Sequence, residues 1–100
     1  MENDHLPEKI DVIRRHLMAS IAGAFIAYEP AQQGELHRFR VEAGRGSKLV
    51  GFTRDFLADT GVQALEQLLK DSEVAVRLAL TKHNALLISH TGIREMEALP

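Results

Sequence analysis

Two runs of alternating apolar and polar residues lie close together in this 100-residue chain, LHRFRVEA at residues 36–43 and KLVGFTR at residues 48–54. A period of two is typical of strands that bury one face. Between the runs, Gly44 and Gly46 can adopt a positive φ without strain, as a tight turn requires. The segment therefore predicts an antiparallel hairpin closed by a four-residue loop, residues 44–47.

The apolar residues of the two runs also predict how the strands pair. Aligning Phe39 with Phe52 and Val41 with Val50 places four apolar side chains on one face, and a slip of one residue would separate them. We therefore expect this face to be buried and the other to meet solvent. The solvent face would carry Arg38, Arg40, Glu42, Leu49, Gly51 and Thr53.

The residues before the hairpin predict one long helix, PEKIDVIRRHLMASIAGAFIAY, at residues 7–28. Pro7 suits the first turn of a helix, and Pro30 prevents the helix from continuing. Gly23 weakens a helix at its position, so AFIAYE at residues 24–29 is an alternative short strand. The apolar stripe of this helix comprises Ile10, Ile13, Leu17, Ile21, Phe25 and Tyr28.

The second half of the chain predicts mostly helix and one strand. RDFLAD at residues 54–59 fits a short helical turn, and GVQALEQLLKD at residues 61–71 fits an amphipathic helix. Residues 72–83 are ambiguous, because their valines and leucines alternate as in a strand, but Ser72 is a good helix cap. We favour a helix there. ALLISHT at residues 85–91 then predicts a final strand.

Together these elements predict a single α+β domain over residues 1–100, in the order α-β-β-α-α-β. We expect a three- or four-stranded sheet that contains antiparallel pairs, with the helices packed on one face. About residues 1–5 and 95–100 are expected to be loosely ordered, as chain ends usually are.

Composition limits the functional classes. The chain has no cysteine, which removes disulfides, thiolate metal sites and cysteine nucleophiles. The opening residues MENDHLPEKID are acidic and polar, unlike a secretory signal, and no apolar run is long enough to span a bilayer. We therefore expect a cytoplasmic protein that does not bind membranes. Charge is segregated: residues 36–54 hold five basic side chains and one acidic one, whereas the whole chain carries −2.

The glycine-rich turn matches no nucleotide-binding motif. A P-loop needs a lysine and a hydroxyl residue after its last glycine, at the start of a helix. Here Ser47 precedes Lys48, and a strand follows. A dinucleotide fingerprint also needs a further glycine that opens a helix. We therefore expect no nucleotide and no other cofactor.

The histidines and serines indicate no catalytic or metal centre. No two histidines have the short spacing that zinc sites usually contain, and no serine lies in a nucleophile motif. An enzyme would have to use His83 and His90, which flank the last predicted strand, with an acid from elsewhere in the chain. The five histidines are His5, His16, His37, His83 and His90.

These observations favour a non-catalytic interaction or regulatory module that binds a protein partner or itself. Leu49, Leu87 and Met18 are apolar residues that the predicted core does not use, and an open sheet face could pair two copies in a homodimer. Nucleic-acid binding is the alternative, although no aromatic residue interleaves with the arginines. The predicted contact residues are Arg38, Arg40, Arg45, Lys48 and Arg54.

Overall fold

Nine secondary-structure elements form a five-stranded sheet with four helices in a computed structural model that describes residues 5–30, 36–44 and 46–99. The α+β class is as predicted. The helices are α1 (Leu6–Ser20), α2 (Arg54–Asp59), α3 (Val62–Asp71) and α4 (Val74–Leu80). The strands are β1 (Phe25–Glu29), β2 (Leu36–Ala43), β3 (Gly46–Thr53), β4 (Ala85–Ser89) and β5 (Gly92–Met96).

The strands lie in the sheet in chain order, β1-β2-β3-β4-β5. All neighbours are antiparallel except β3 and β4, which are parallel. A parallel pair needs a long crossover connection, and the three helices α2, α3 and α4 provide it. The sheet therefore has one or two strands more than predicted, and the additional strands, β1 and β5, lie at its two edges.

The prediction of one helix over residues 7–28 was wrong in its second half, and the alternative strand is the one that forms. Helix α1 ends at Ser20, and the chain reverses at Gly23, whose φ is +73°. Beyond the reversal, Ile26 pairs with Val41 of β2 and is buried. The helix was predicted because apolar residues recur three and four apart on both sides of the turn. Beyond the turn, however, Ile26 and Tyr28 lie two residues apart on the inward face of a strand.

The predicted hairpin forms, but its register is shifted by two residues. Phe39 pairs with Val50, and Ala43 pairs with Gly46, so only residues 44 and 45 connect the strands. A shift of two preserves which side chains share a face, because the strand period is two. The predicted burial of the apolar face is therefore confirmed. Phe39 and Phe52 still meet diagonally, with ring centroids 5.8 Å apart in an edge-to-face arrangement.

The ambiguous segment is a helix, as favoured. Helices α3 and α4 are separated by Ser72 and Glu73, and Glu73 has a φ of +50° that redirects the chain. Ser72 follows the last turn of α3 and does not cap α4, so its predicted role was wrong. The buried face of α4 is formed by Val74, Ala75 and Leu78, at three- and four-residue spacing.

The core lies between the helices and one face of the sheet, which we call the inner face. Four aromatic rings cross this core in sequence, with neighbouring centroids 5.1 to 6.4 Å apart. Such contacts add to the stabilisation that burial provides. Although the chain has few aromatic residues, these four rings join β1, β2, β3 and α2 in one continuous series of contacts. The rings belong to Tyr28, Phe39, Phe52 and Phe56.

A buried lysine joins α1 to α2. Lys9 has only 2% of its surface exposed, and its Nζ donates a hydrogen bond of 2.5 Å to the carbonyl oxygen of Leu57. The last carbonyls of a helix have no partner within that helix, and a cation there also opposes the negative end of the helix dipole. Lys9 therefore fixes how α2 sits on α1.

Candidate binding face

The face of the sheet opposite the helices, here called the outer face, carries the predicted arginines. The pairing registers align its side chains in two rows that cross all five strands. Because directly paired residues share a face, each row is a line of neighbouring side chains. The first row is Glu29, Arg38, Gly51, Leu87 and Arg94, and the second is Ala27, Arg40, Leu49, Ala85 and Met96.

Charges of both signs occupy the β1–β2 side of the outer face. Glu29 pairs directly with Arg38, and Arg40 Nη2 donates a 2.5 Å hydrogen bond to Glu29 Oε2. Both partners of this ion pair are partly exposed, at 44% for Arg40 and 38% for Glu29. One row further towards the hairpin tip, Phe25 pairs with Glu42. The basic character predicted for this face is thus reduced by Glu29, an acid that β1 brings beside the arginines.

Aliphatic side chains occupy the middle of the outer face. Leu49 and Leu87 are half-buried there, on the two strands that form the parallel pair. Phe25, at the β1 edge, is 64% exposed. The outer face therefore combines an apolar centre with charged surroundings, which is the usual layout of a protein-binding surface.

Gly51 lies at the centre of the first row and is covered by a residue from the far end of the chain. A Cβ added to Gly51 would lie 2.9 Å from Leu99 Cδ1, so the Leu99 side chain occupies the space above this glycine. Gly51 is consequently buried although it faces outwards. The Leu99 side chain thus lies against the outer face, three residues after β5 ends at Met96.

Arg94 is a cation of the outer face that the sequence reading missed. It pairs with Leu87 and is exposed, and within the described ranges its side chain forms no hydrogen bond or ion pair. Arg94, Met96 and Leu99 were not expected on this face because β5 was not predicted. Its sequence, GIREM, has only two apolar side chains, and an edge strand with exposed residues has a weak hydrophobic pattern.

The five predicted contact residues do not all lie on one surface. Arg38 and Arg40 share the outer face. Lys48 points to the opposite side, where its Nζ donates to the carbonyl oxygens of Leu78 at 2.9 Å and Thr81 at 2.8 Å. Lys48 thus binds the C-terminal end of α4. Arg54 is exposed as the first residue of α2, and Arg45 lies outside the described residues.

His83 and His90 do not meet in one site. His83 Nδ1 lies 2.6 Å from Glu97 Oε2, and His90 Nε2 lies 3.0 Å from Asp59 Oδ2. The histidines flank opposite ends of β4, whose five residues span about 15 Å. The pair that an enzyme hypothesis required is therefore not formed. Among residues 5–30, 36–44 and 46–99, no group of three or more candidate ligands could hold a metal ion.

His37 forms a hydrogen-bonded pair with Tyr28 at the inner face. The Tyr28 hydroxyl lies 2.7 Å from His37 Nδ1, and the two rings are nearly parallel. Burial, and then the nearby charge of Arg54, lower the pKa of His37, while burial raises the pKa of Tyr28. Both groups are therefore uncharged at neutral pH, and the tautomer of the imidazole decides which of them donates. His37 is only 6% exposed, so this pair lies at the edge of the core.

Two recesses open beside the helices. One, of about 480 Å³, lies between α1, α3 and α4 and contains His16, whose Nε2 accepts a 3.2 Å hydrogen bond from the Ala75 amide. Burial, with a smaller effect of Lys70, lowers the pKa of His16. The other, of about 280 Å³, is apolar except for Lys48, which already binds the end of α4. His16 in the first recess and Lys48 in the second are each hydrogen-bonded to a terminus of α4.

No protein-family model matches this chain, and neither the search of curated proteins nor that of solved structures found a match. Across the part of the chain that the structure describes, no helix combines the length and apolar character needed to cross a membrane.

Proposed function

We propose that this chain is a non-catalytic interaction domain that binds a protein partner through the outer face. The observation that supports this most is the arrangement in two rows, in which Leu49, Leu87 and Gly51 form an apolar centre flanked by arginines on both sides. Arginine and aliphatic groups together are typical of binding surfaces, because the guanidinium stacks and donates in fixed directions while the aliphatic centre excludes water.

The mixture of charges favours a protein partner over a nucleic acid. Glu29 and Glu42 lie on the same face as the arginines, and Glu29 is already paired with Arg40. Carboxylates beside a phosphate backbone repel it, and nucleic-acid surfaces are usually strongly basic. Nucleic-acid binding through this face would show affinity that falls steeply as salt rises. A protein partner would instead depend on the aliphatic centre as well as on the charges.

The experiment that tests this proposal reverses charge on the outer face and compares partner capture. The variant is Arg38→Glu with Arg40→Glu, and the matched control is Arg15→Glu with Lys82→Glu, two exposed cations away from the outer face. Folding of both proteins is checked by circular dichroism and thermal unfolding. We expect the outer-face variant to lose the partners, or the self-association, that wild type and control retain.

Two outcomes would contradict the proposal. Equal capture of every partner by the two variants would show that the outer face does not bind them. Salt-dependent binding of DNA or RNA by wild type at low salt, lost in the outer-face variant with no protein captured, would favour the nucleic-acid alternative.

A further inference from the structure

The recess above Gly51 is the most specific feature of the outer face. The register surrounds this glycine with Arg38 and Leu87 across the sheet and Leu49 two residues along the strand. Because glycine has no side chain, its position leaves an opening between these neighbours. Leu99 fills that opening so closely that an added Cβ would be only 2.9 Å from its Cδ1. The recess therefore matches one aliphatic side chain in size.

The segment that fills the recess is held by few interactions. Beyond Met96, residues 97–99 belong to no strand. Among the described residues, the side-chain bond that anchors the segment joins Glu97 to His83, and these side chains are 76% and 42% exposed. Exposed ion pairs contribute little to stability, and a single half-buried leucine contributes only part of what a core leucine does. The segment is therefore suited to exchange with another occupant.

We infer that the Gly51 recess is a socket for an aliphatic side chain from an acidic, extended partner segment, and that residues 97–99 fill this socket as an intramolecular competitor. Charge supports the acidic character: Arg94 faces outwards in the same row, and the present occupant carries Glu97 two residues before Leu99. This inference rests on the proposed function and adds the class of partner and a mode of autoinhibition.

The socket has a consequence that a purely structural contact lacks. If Leu99 only stabilised the fold, its removal would weaken the protein without creating a binding site. If Leu99 competes with a partner, its removal raises the fraction of open sockets, and the apparent affinity for a matching peptide rises in proportion to that fraction. If Leu99 competes with a partner, a side chain at position 51 should fill the socket and abolish peptide binding whether or not Leu99 is present.

The test uses a fluorescently labelled peptide of sequence EMEALP, which is the chain's own residues 95–100, and measures its fluorescence anisotropy. The proteins are full-length wild type, Leu99→Ala, Gly51→Val, and the double variant. The φ of Gly51 is not in the left-handed region, so valine can adopt its backbone conformation. A second peptide, EMEAAP, lacks the aliphatic anchor. Gel filtration of Leu99→Ala mixed with Gly51→Val, whose own socket is filled but which keeps Leu99, shows whether a second copy supplies the segment.

We expect Leu99→Ala to bind EMEALP about tenfold or more tightly than wild type does. The double variant and the EMEAAP peptide should both show almost complete loss of this binding. Equal affinity of wild type and Leu99→Ala would overturn the inference, as would undiminished binding by the double variant. If valine prevents folding, Gly51→Ala with Leu99→Ala tests the same point with one added methyl group. A negative result in this peptide assay would rule out the socket but not the partner capture tested with Arg38→Glu and Arg40→Glu, so the two proposals fail separately.

Discussion

At the scale of single residues, three buried or part-buried polar side chains bind main-chain groups at helix ends that would otherwise lack partners. Lys9 binds a carbonyl at the end of α2, and Lys48 binds two carbonyls at the end of α4. His16 accepts from an amide at the start of α4. Such pairings lower the cost of burying polar atoms. They also explain why one predicted contact residue, Lys48, lies away from the outer face.

The buried histidines predict a pH dependence of stability. In the folded protein the pKa values of His37 and His16 lie below the ordinary value of 6.5. Below that pH the unfolded chain binds protons that the folded chain does not, so folding becomes less favourable as pH falls towards the lowered pKa values. Each histidine contributes a slope of at most about 1.4 kcal/mol per pH unit. The contribution of these two histidines to the free energy of unfolding is therefore complete above about pH 6.5 and is lost progressively below it.

Urea unfolding between pH 5 and pH 8 measures this effect. His37→Asn keeps an amide near the position of Nδ1, which can accept from or donate to the Tyr28 hydroxyl, but it removes the titration. We therefore expect its free energy of unfolding to fall less steeply with acidification than that of wild type. The double variant His16→Asn with His37→Asn shows how carboxylate titration alone changes stability, and its pH dependence is subtracted from that of wild type. If the remaining free energy of unfolding of wild type is constant or rises from pH 7 to pH 5, the expectation is contradicted.

At the scale of elements, local pattern was enough to predict the strands β2 and β3 and the helices α2, α3 and α4. It failed where the chain reversed within an apolar run. Residues 7–28 satisfy helical spacing throughout, and only the positive φ of Gly23 and the pairing of Ile26 with Val41 separate α1 from β1. The predicted hairpin register was also wrong. It paired phenylalanine with phenylalanine and valine with valine, which required a four-residue loop, whereas only two residues connect the strands.

The turn between α1 and β1 makes Gly23 a sensitive position. Its φ of +73° strains any residue with a Cβ, although no atom lies within 4 Å of where that Cβ would be. We expect Gly23→Ala to lower the free energy of unfolding by about 1 kcal/mol. Gly46→Ala is the matched control, because Gly46 also has open space but no positive φ. Equal stability of the two variants in urea unfolding would show that the reversal does not depend on Gly23.

At the scale of the whole molecule, the helices cover one face of the sheet and leave the other to the charged and aliphatic rows. The sequence alone could predict that Arg38, Arg40 and Leu49 share a face, because they lie on one hairpin. It could not predict that Leu87 and Arg94 lie in the same row as Arg38. Their place depends on the parallel pairing of β3 with β4, which three helices separate in the sequence. The contact of Leu99 with Gly51 joins residues that are even further apart in the sequence, so it could not be predicted either.

The central claim, that the outer face binds a protein partner, is tested most directly by site-specific photocrosslinking. A photoreactive residue replaces Arg40 on the outer face or Arg15 on α1, two exposed arginines that each form one exposed ion pair. We predict a crosslinked protein adduct from position 40, competed by unlabelled wild-type chain, and none from position 15. Adducts from position 15 alone, or equal adducts from both positions, would contradict the claim.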